Sequence, residues 1–300
     1  MDRLEAMTVF VAAVDGGSLS AAGRQLGMPL ATVSRKLSEL EAHLRARLLH
    51  RTSRKLTLTD AGRDYYASCK RILDDVGEAE RDASGEYAEP RGELVVAAPI
   101  VLGRVHLLPV VAEFLEAHPE VQVRIVQGDR VANLVEDRLD VALRIGDRPD
   151  SGVTATNVGK VCRVVCASPA YLSRRGAPTT PDELAAHACV SFDGLGAADA
   201  WRFRWQGEDR VVTLLPRLVV NTAEAAIDAA VAGVGVTRVL SYQVADALRT
   251  GTLQRLLREF ESPPSPVSLL FDGRRRLPRK LRAFVDFATP RLRARLAHAD

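Results

Sequence analysis

The chain has only four cysteines in 300 residues (Cys69, Cys162, Cys166 and Cys189), and no two of them stand as a CxxC pair. That scarcity argues against a structural zinc site and against a secreted disulfide scaffold, and it points to a reducing compartment. The six histidines form no HxxxH or HxH pair, so no metal site is expected. No stretch of about 18 apolar residues occurs, and the start Met1-Asp2-Arg3-Leu4-Glu5 is acidic and lacks the apolar segment of a signal peptide. The expectation is a cytoplasmic protein with no membrane partner. GxSxG, P-loop and GxGxxG patterns are also missing, and Gly233-Val234-Gly235-Val236 reads as a turn at a helix end rather than a phosphate cradle. Neither an enzymatic reaction nor a cofactor is expected. Charge of one sign is lacking too: 41 Lys and Arg against 38 Asp and Glu leave a formal +3, which by itself speaks against nucleic acid.

What is present is a 47% hydrophobic composition in a chain long enough for about two domains with sizeable cores. Over residues 1–60, Leu4, Met7, Phe10, Val11 and Val14 recur at helical spacing before Gly16-Gly17 breaks the run. Ser18 or Ser20 offers an N-cap for a second helix that ends at Gly27, and a third begins at Pro29. Two helices joined by a glycine-containing turn form the helix-turn-helix pattern. Residues 48–52 and 55–59 flank Ser53-Arg54 as a hairpin, which would be a wing.

On the third helix Val33, Leu37, Leu40 and Leu44 share one stripe, and Arg35 lies nearly opposite. Its outward face is small, polar and basic. A helix entering the major groove needs slim residues, an Arg for guanine O6 and N7, and methyl or hydroxyl groups for thymine or phosphate. The DNA-contact candidates are Ala31, Thr32, Ser34, Arg35, Lys36 and Ser38, with Arg51 and Arg54 on the hairpin reaching phosphate or the minor groove. The alternative for these residues is a solvated helix face with basic loops. Local charge supports the first reading: residues 24–63 hold nine basic and three acidic side chains, a net +6, whereas 64–89 hold three and eight, a net −5.

From Thr59 or Asp60 as cap, an uninterrupted helix is expected to about Gly85. Ala61, Tyr65, Cys69, Ile72, Val76, Ala79 and Ala83 form a seam along it that calls for a partner, either the same helix of a second subunit or the protein's own core. Beyond Glu89-Pro90-Arg91-Gly92 the pattern changes to strands alternating with helices. Strands are expected at 94–98, 121–126, 141–145, 162–167 and 214–220, and helices at 103–117, 131–138 and 224–232, which predicts a mostly parallel sheet covered by helices. The fold class expected is an α+β multidomain chain: DNA-binding domain 1–60, linker helix 61–89 and an α/β domain 90–300.

The chain resembles the LysR family of bacterial transcription regulators. The likeness runs through Phe10-Val11-Ala12-Ala13-Val14, Gly17-Ser18-Leu19-Ser20-Ala21-Ala22, Val33-Ser34-Arg35-Lys36-Leu37, Leu48-Leu49-His50-Arg51 and Leu58-Thr59-Asp60-Ala61-Gly62. In the second part it includes Asp140-Val141-Ala142-Leu143-Arg144-Ile145-Gly146 and Ala167-Ser168-Pro169-Ala170-Tyr171-Leu172. The resemblance implies a winged helix-turn-helix, a dimerising linker helix and a two-lobed effector domain shaped like a periplasmic binding protein. Its implied partners are double-stranded DNA, a small-molecule effector and further copies of the chain, as a homodimer and then a homotetramer. Two departures stand out. Pro29-Leu30-Ala31 replaces the polar residues that family members commonly carry at the start of the recognition helix, and Ala97-Ala98-Pro99-Ile100-Val101-Leu102 lacks the hydroxyl they often place where an anionic ligand sits. The second departure leaves room for a more apolar effector.

In an open α/β sheet ligands settle beyond the carboxyl ends of strands, so Pro99, Ile100, Val101, Gly128, Asp129, Arg144, Gly146, Asn221, Thr222 and Ala223 are candidates for one cleft. Arg144 would pair with a negative ligand group, or else with Asp140 or Asp147. Cys162 and Cys166, if on one strand, sit about 13 Å apart and are expected as core thiols rather than a disulfide switch. The basic runs Arg274-Arg275-Arg276 and Arg279-Lys280 read as a solvated turn and helix start. A ligand-responsive DNA-binding regulator is the function expected. The alternative from another class is a solute-binding or enzymatic α/β protein whose first helices serve only dimerisation.

Overall fold

A computed structural model describes residues 1–51, 56–84, 89–130, 133–134, 137–147, 152–193, 199–273 and 277–297. The chain divides into two units, Met1–Ala88 and Glu89–Asp300.

In the first unit, α1 (Arg3–Asp15) is capped by the Asp2 carboxylate, which accepts from the N–H groups of Leu4 and Glu5. Helix α2 (Leu19–Leu26) is capped by Ser18 rather than Ser20, and stops at Gly27, whose φ of 64° is the left-handed conformation a helix end favours. Helix α3 (Leu30–Leu44) follows Pro29, which supplies no side-chain cap. Its stripe of Val33, Leu37 and Leu40 is fully buried against Ala6, Val9, Phe10 and Ala22. Strands β1 (Leu49–Arg51) and β2 (Leu56–Leu58) pair antiparallel as the wing. Glu41 on α3 holds the start of the wing by accepting from the N–H groups of Leu48 and Leu49, at 2.8 and 3.2 Å.

Helix α4 (Asp60–Ser84) is capped by Thr59, which accepts from Gly62 N–H at 2.9 Å and donates to the Arg47 carbonyl at 2.7 Å. Gly62 permits a close approach: a Cβ there would lie 2.0 Å from the Leu48 carbonyl oxygen. The seam expected along α4 is used in two ways. Tyr65, Tyr66 and Cys69 pack under Phe10 in the core of this unit, whereas Ile72 and Ala79 are exposed.

The second unit is two lobes, each built on a five-stranded sheet. Its elements are β3 (Gly92–Ala98), α5 (Ile100–Leu102), a π-helical turn (Gly103–Leu107), α6 (Leu108–Ala117), β4 (Val121–Gln127), β5 (Val141–Ile145), β6 (Thr154–Val161), β7 (Arg163–Ala167), α7 (Pro169–Arg175), β8 (Cys189–Phe192), β9 (Ala200–Trp205), β10 (Glu208–Thr213), β11 (Leu218–Val220), α8 (Ala223–Val231), β12 (Val236–Leu240), α9 (Ser241–Arg249), β13 (Gln254–Leu256), β14 (Ser265–Phe271) and α10 (Arg279–Leu296). The first lobe has strand order β4-β3-β5-β14-β6 and the second β11-β8-β12-β7-β13, with β9 and β10 as a separate hairpin. The late strand β14 joins the first sheet between β5 and β6, so the chain leaves that lobe after β6 and returns only near its end.

Four expectations are corrected. The sheets are mixed, because β14 runs antiparallel to β5 and β6, and β7 runs antiparallel to β12 and β13. Of the helix expected at 131–138, residues 131–132 and 135–136 lie outside the described residues, and the described Leu134, Asp137 and Arg138 lie in turns, with Asp137 accepting from the Asn133 N–H. The strand expected at 214–220 begins only at Leu218, since Pro216 has no N–H to give a ladder. Cys162 precedes β7 instead of lying on one strand with Cys166; its N–H donates to Ser241 Oγ at 3.3 Å. All four cysteines are free of disulfides, and burial pushes the Cys166 thiol up to about 12, as expected of a core thiol. Lys280 is buried, and Arg274-Arg275-Arg276 fall outside the described residues. No helix among the described residues is long and apolar enough to cross a membrane.

Candidate nucleic-acid interface and effector cleft

With its apolar stripe facing inward, α3 turns Ala31, Arg35 and Ser38 outward, and leaves Thr32 and Ser34 half-buried beside them. Arg35 is held along the helix by Glu39, one turn on, at 2.8 Å; its side chain is 65% exposed, so the pair is weak and the guanidinium is available to another partner. The Ser38 hydroxyl donates to the Ser34 carbonyl at 2.9 Å. Lys36 has a different place: it is mostly buried, and its ammonium pairs with Glu5, tying α3 to α1. Arg51 ends β1, but its side chain and the whole of Arg54 lie outside the described residues. The Arg35 guanidinium and the small side chains around it therefore form a shallow, polar helix face of the kind a major groove admits.

In the second unit a cavity of about 340 Å³ opens between the two lobes. The carboxyl ends of β3, β4 and β5 bring Pro99, Gly128, Asp129 and Arg144 to it, and these four come together as expected. The other candidates do not reach it. Ile100 donates its N–H to Asp129 Oδ1 at 3.1 Å behind the wall, and Val101 is in the core. The Gly146 N–H is used by the Pro266 carbonyl. Thr222 caps α8 by accepting from Ala225 N–H, and Asn221, Thr222 and Ala223 do not line the cavity; Ala223 is buried. Neither Asp140 nor Asp147 holds Arg144: Asp140 accepts from the Val95 N–H at 2.7 Å, and no carboxylate pairs with Arg144 among the described residues.

The second lobe contributes Arg163, Phe192, Leu240, Tyr242 and Gln243, all of which sequence reasoning missed. A signal for two arginines existed: Arg163 opens the apolar run of β7, and Arg238 interrupts that of β12. Charges in strands that read as buried require a reason. The Tyr242 hydroxyl is buried without a hydrogen-bond partner, and its ring meets His106 edge-on, with centroids 5.6 Å apart. His106 stands on the π-helical turn, a device that re-aims side chains within a helix. Burial, with the Arg295 charge second, lowers its pKa to about 4, so the ring is neutral at pH 7. Burial also raises the Asp129 carboxyl, opposed by the Ile100 N–H and assisted by the nearby charge of Glu224.

The fold and these two sites define a winged-helix DNA-binding protein that carries a two-lobed ligand domain. Residues 4–63 match the bacterial regulatory helix-turn-helix family of lysR type, and residues 88–293 match the LysR substrate binding domain. The chain belongs to the LysR family of bacterial transcriptional regulators. An HTH-type transcriptional regulator of Xanthomonas campestris pv. campestris is 36% identical over 288 residues, covering 95% of this chain and 84% of that protein. The regulator CrgA of Neisseria meningitidis serogroup B is 33% identical over 292 residues, 96% of each chain. The solved structure of CrgA aligns with a TM-score of 0.62 and 31% identity over 96% of this chain and 98% of that one. Full-length AphB, a Vibrio cholerae virulence activator, aligns with a TM-score of 0.61 and 28% identity over 95% and 98%. The protein is thus a DNA-binding transcriptional regulator with an effector-binding domain, and the relatives it matches are regulators rather than enzymes.

Proposed function

We propose that α3 lies in the major groove with Ala31, Thr32, Ser34, Arg35 and Ser38 against the bases, while Arg51 and Arg54 of the wing neutralise flanking phosphates. Lys36 supports α3 from behind through Glu5. The second half of the α4 seam, exposed at Ile72 and Ala79 and half-buried at Val76, joins two copies as a homodimer that reads two half-sites, and dimers pair into a tetramer. A small molecule held between the lobes by Asp129, Arg144, Phe192 and Tyr242 changes how the DNA-bound copies are arranged and hence how the DNA is bent. All of this takes place in the cytoplasm, where the operator DNA lies.

The observation that carries the reading is the orientation of α3: a fully buried apolar stripe with Arg35 held out on the opposite face. Fluorescence anisotropy with the intergenic DNA beside the protein's own gene, titrated with salt, tests it. Specific binding that weakens steeply with salt is expected. Equal affinity for that DNA and for random duplex at every salt concentration would refute it.

A further inference from the structure

The cleft carries opposite charges at its two ends, set by residues far apart in sequence. At one end, Asp129 follows β4 and occupies the Ile100 N–H with its own carboxylate. An anionic ligand group at that helix start would meet the Asp129 charge; Arg130, also in the lining, is engaged by Asp137 at 2.6 Å, and Glu224 nearby lies 3.9 Å from Arg104. Tyr242 faces the same end: its hydroxyl is buried beside the Gln243 side chain without a well-formed hydrogen bond, and the Asp129 carboxylate further disfavours its ionisation.

At the other end stand Arg144 on β5 and Arg163 at the start of β7, neither paired with a carboxylate among the described residues. Arg163 spends one N–H on Ser265 Oγ at 3.2 Å. Behind it, on the same face of the second sheet, Arg238 is buried against Trp201; one N–H reaches the Arg202 carbonyl at 3.0 Å and its Nε–H reaches nothing. Burial and the charges of Arg163 and Arg202 press the Arg238 guanidinium down to about 9. Asp209 is 3.9 Å from Arg202 and is engaged at 2.8 Å by Arg204, and Glu261 is engaged at 2.6 Å by Arg255. Positive charge at this end is therefore left over, in surroundings where leftover charge is expensive.

Between the ends the walls are apolar, from Ala98, Leu143, Phe192 and Leu240. In strand order β4 and β5 are separated only by β3, which puts the acidic and basic ends roughly 10 Å apart.

We propose that the cleft takes a bipolar small molecule, a carboxylate joined through a short apolar segment to an ammonium group, with the carboxylate on Arg144 and Arg163 and the ammonium between Asp129 and Tyr242. The proposal rests on the reading of this cleft as the effector site, and it differs from the more apolar effector for which the missing hydroxyl near Pro99 left room. Where a hydroxyl is absent, Asp129 accepts from the Ile100 N–H, which reverses the charge that end accepts.

Calorimetry on the full-length protein with 6-aminohexanoate, hexanoate and hexylamine tests the proposal. The amino acid is expected to bind at least about tenfold more tightly than either singly charged probe. Asp129→Asn keeps the acceptor for Ile100 and is expected to remove that advantage while leaving hexanoate unchanged. Arg144→Met is expected to weaken both carboxylates about tenfold. A tryptophan at the half-exposed cleft position Val126 (Val126→Trp) reports location by its emission. Hexanoate binding as tightly as 6-aminohexanoate, with an emission change, overturns the bipolar assignment and leaves the cleft as effector site. Heat without an emission change takes the ligand out of the cleft and defeats both. No heat from any of the three probes overturns the bipolar assignment as well.

Discussion

On the recognition helix Arg35 stands in water, with Glu39 as an exposed partner, whereas on the second-lobe strand beside the cleft Arg238 is buried against Trp201 with its Nε–H unpaired. Exposure makes Arg35 inexpensive to hold and leaves it available to a base edge. Burial makes the polar groups around the cleft costly, and it sets their charge states before any ligand arrives. The DNA face should therefore be separable from stability, while the cleft should not.

The largest effect expected of that difference is at His106. Its folded pKa of about 4 lies below the ordinary value of 6.5, so an unfolded chain binds a proton in this window that the folded chain refuses. The neutral ring's contribution is complete above pH 6.5 and is lost as pH falls toward 4, by about 3 kcal/mol at the lower limit. Urea unfolding across that range should show His106→Leu with a shallower loss of stability than the unsubstituted protein. Parallel curves would place the titration elsewhere.

Next, Arg35→Ala should weaken specific DNA binding by about 2 kcal/mol and relax base choice at one position, with an unchanged melting temperature. A comparable loss on random duplex would reassign Arg35 to phosphate, and a lowered melting temperature would break the contrast with the cleft. Thr59→Ala removes the cap of α4 and its bond to the Arg47 carbonyl, at a cost of about 1 kcal/mol in the stability of the first unit. Thermal unfolding checks it, and a change confined to the second unit would count against this role. Smallest of all, Glu39→Gln should alter stability by only about 0.3 kcal/mol, because it breaks an exposed pair. A larger loss in thermal melts would mean that Arg35 is more firmly held than its exposure indicates.

The same contrast explains what could be read in advance. The stripe Val33-Leu37-Leu40 and the caps at Ser18 and Thr59 depend on residues within a turn or two of one another, so periodicity and local hydrogen bonding suffice to place α2, α3 and the start of α4. The three strand ends of the first lobe were legible for the same reason: each closes a short apolar run. Lys36 was counted among the DNA contacts because its partner Glu5 is 31 residues away. The β9–β10 hairpin was not among the strands expected, although Trp201, Phe203 and Trp205 alternate along it. The second wall of the cleft stayed hidden because Arg163, Phe192 and Tyr242 come from three segments joined only by strand order.

By itself the sequence determined the helix-turn-helix, the side of α3 that faces outward, the local +6 charge around it and the family, since all of these follow from near-neighbour spacing and residue type. Only the tertiary structure decided which charges meet. The return of β14 to the first sheet, the approach of the second lobe, and the capture of the Ile100 N–H by Asp129 are long-range events, governed by burial and register rather than by local propensity. They turn a set of dispersed polar residues into a cleft with an acidic end and a basic one.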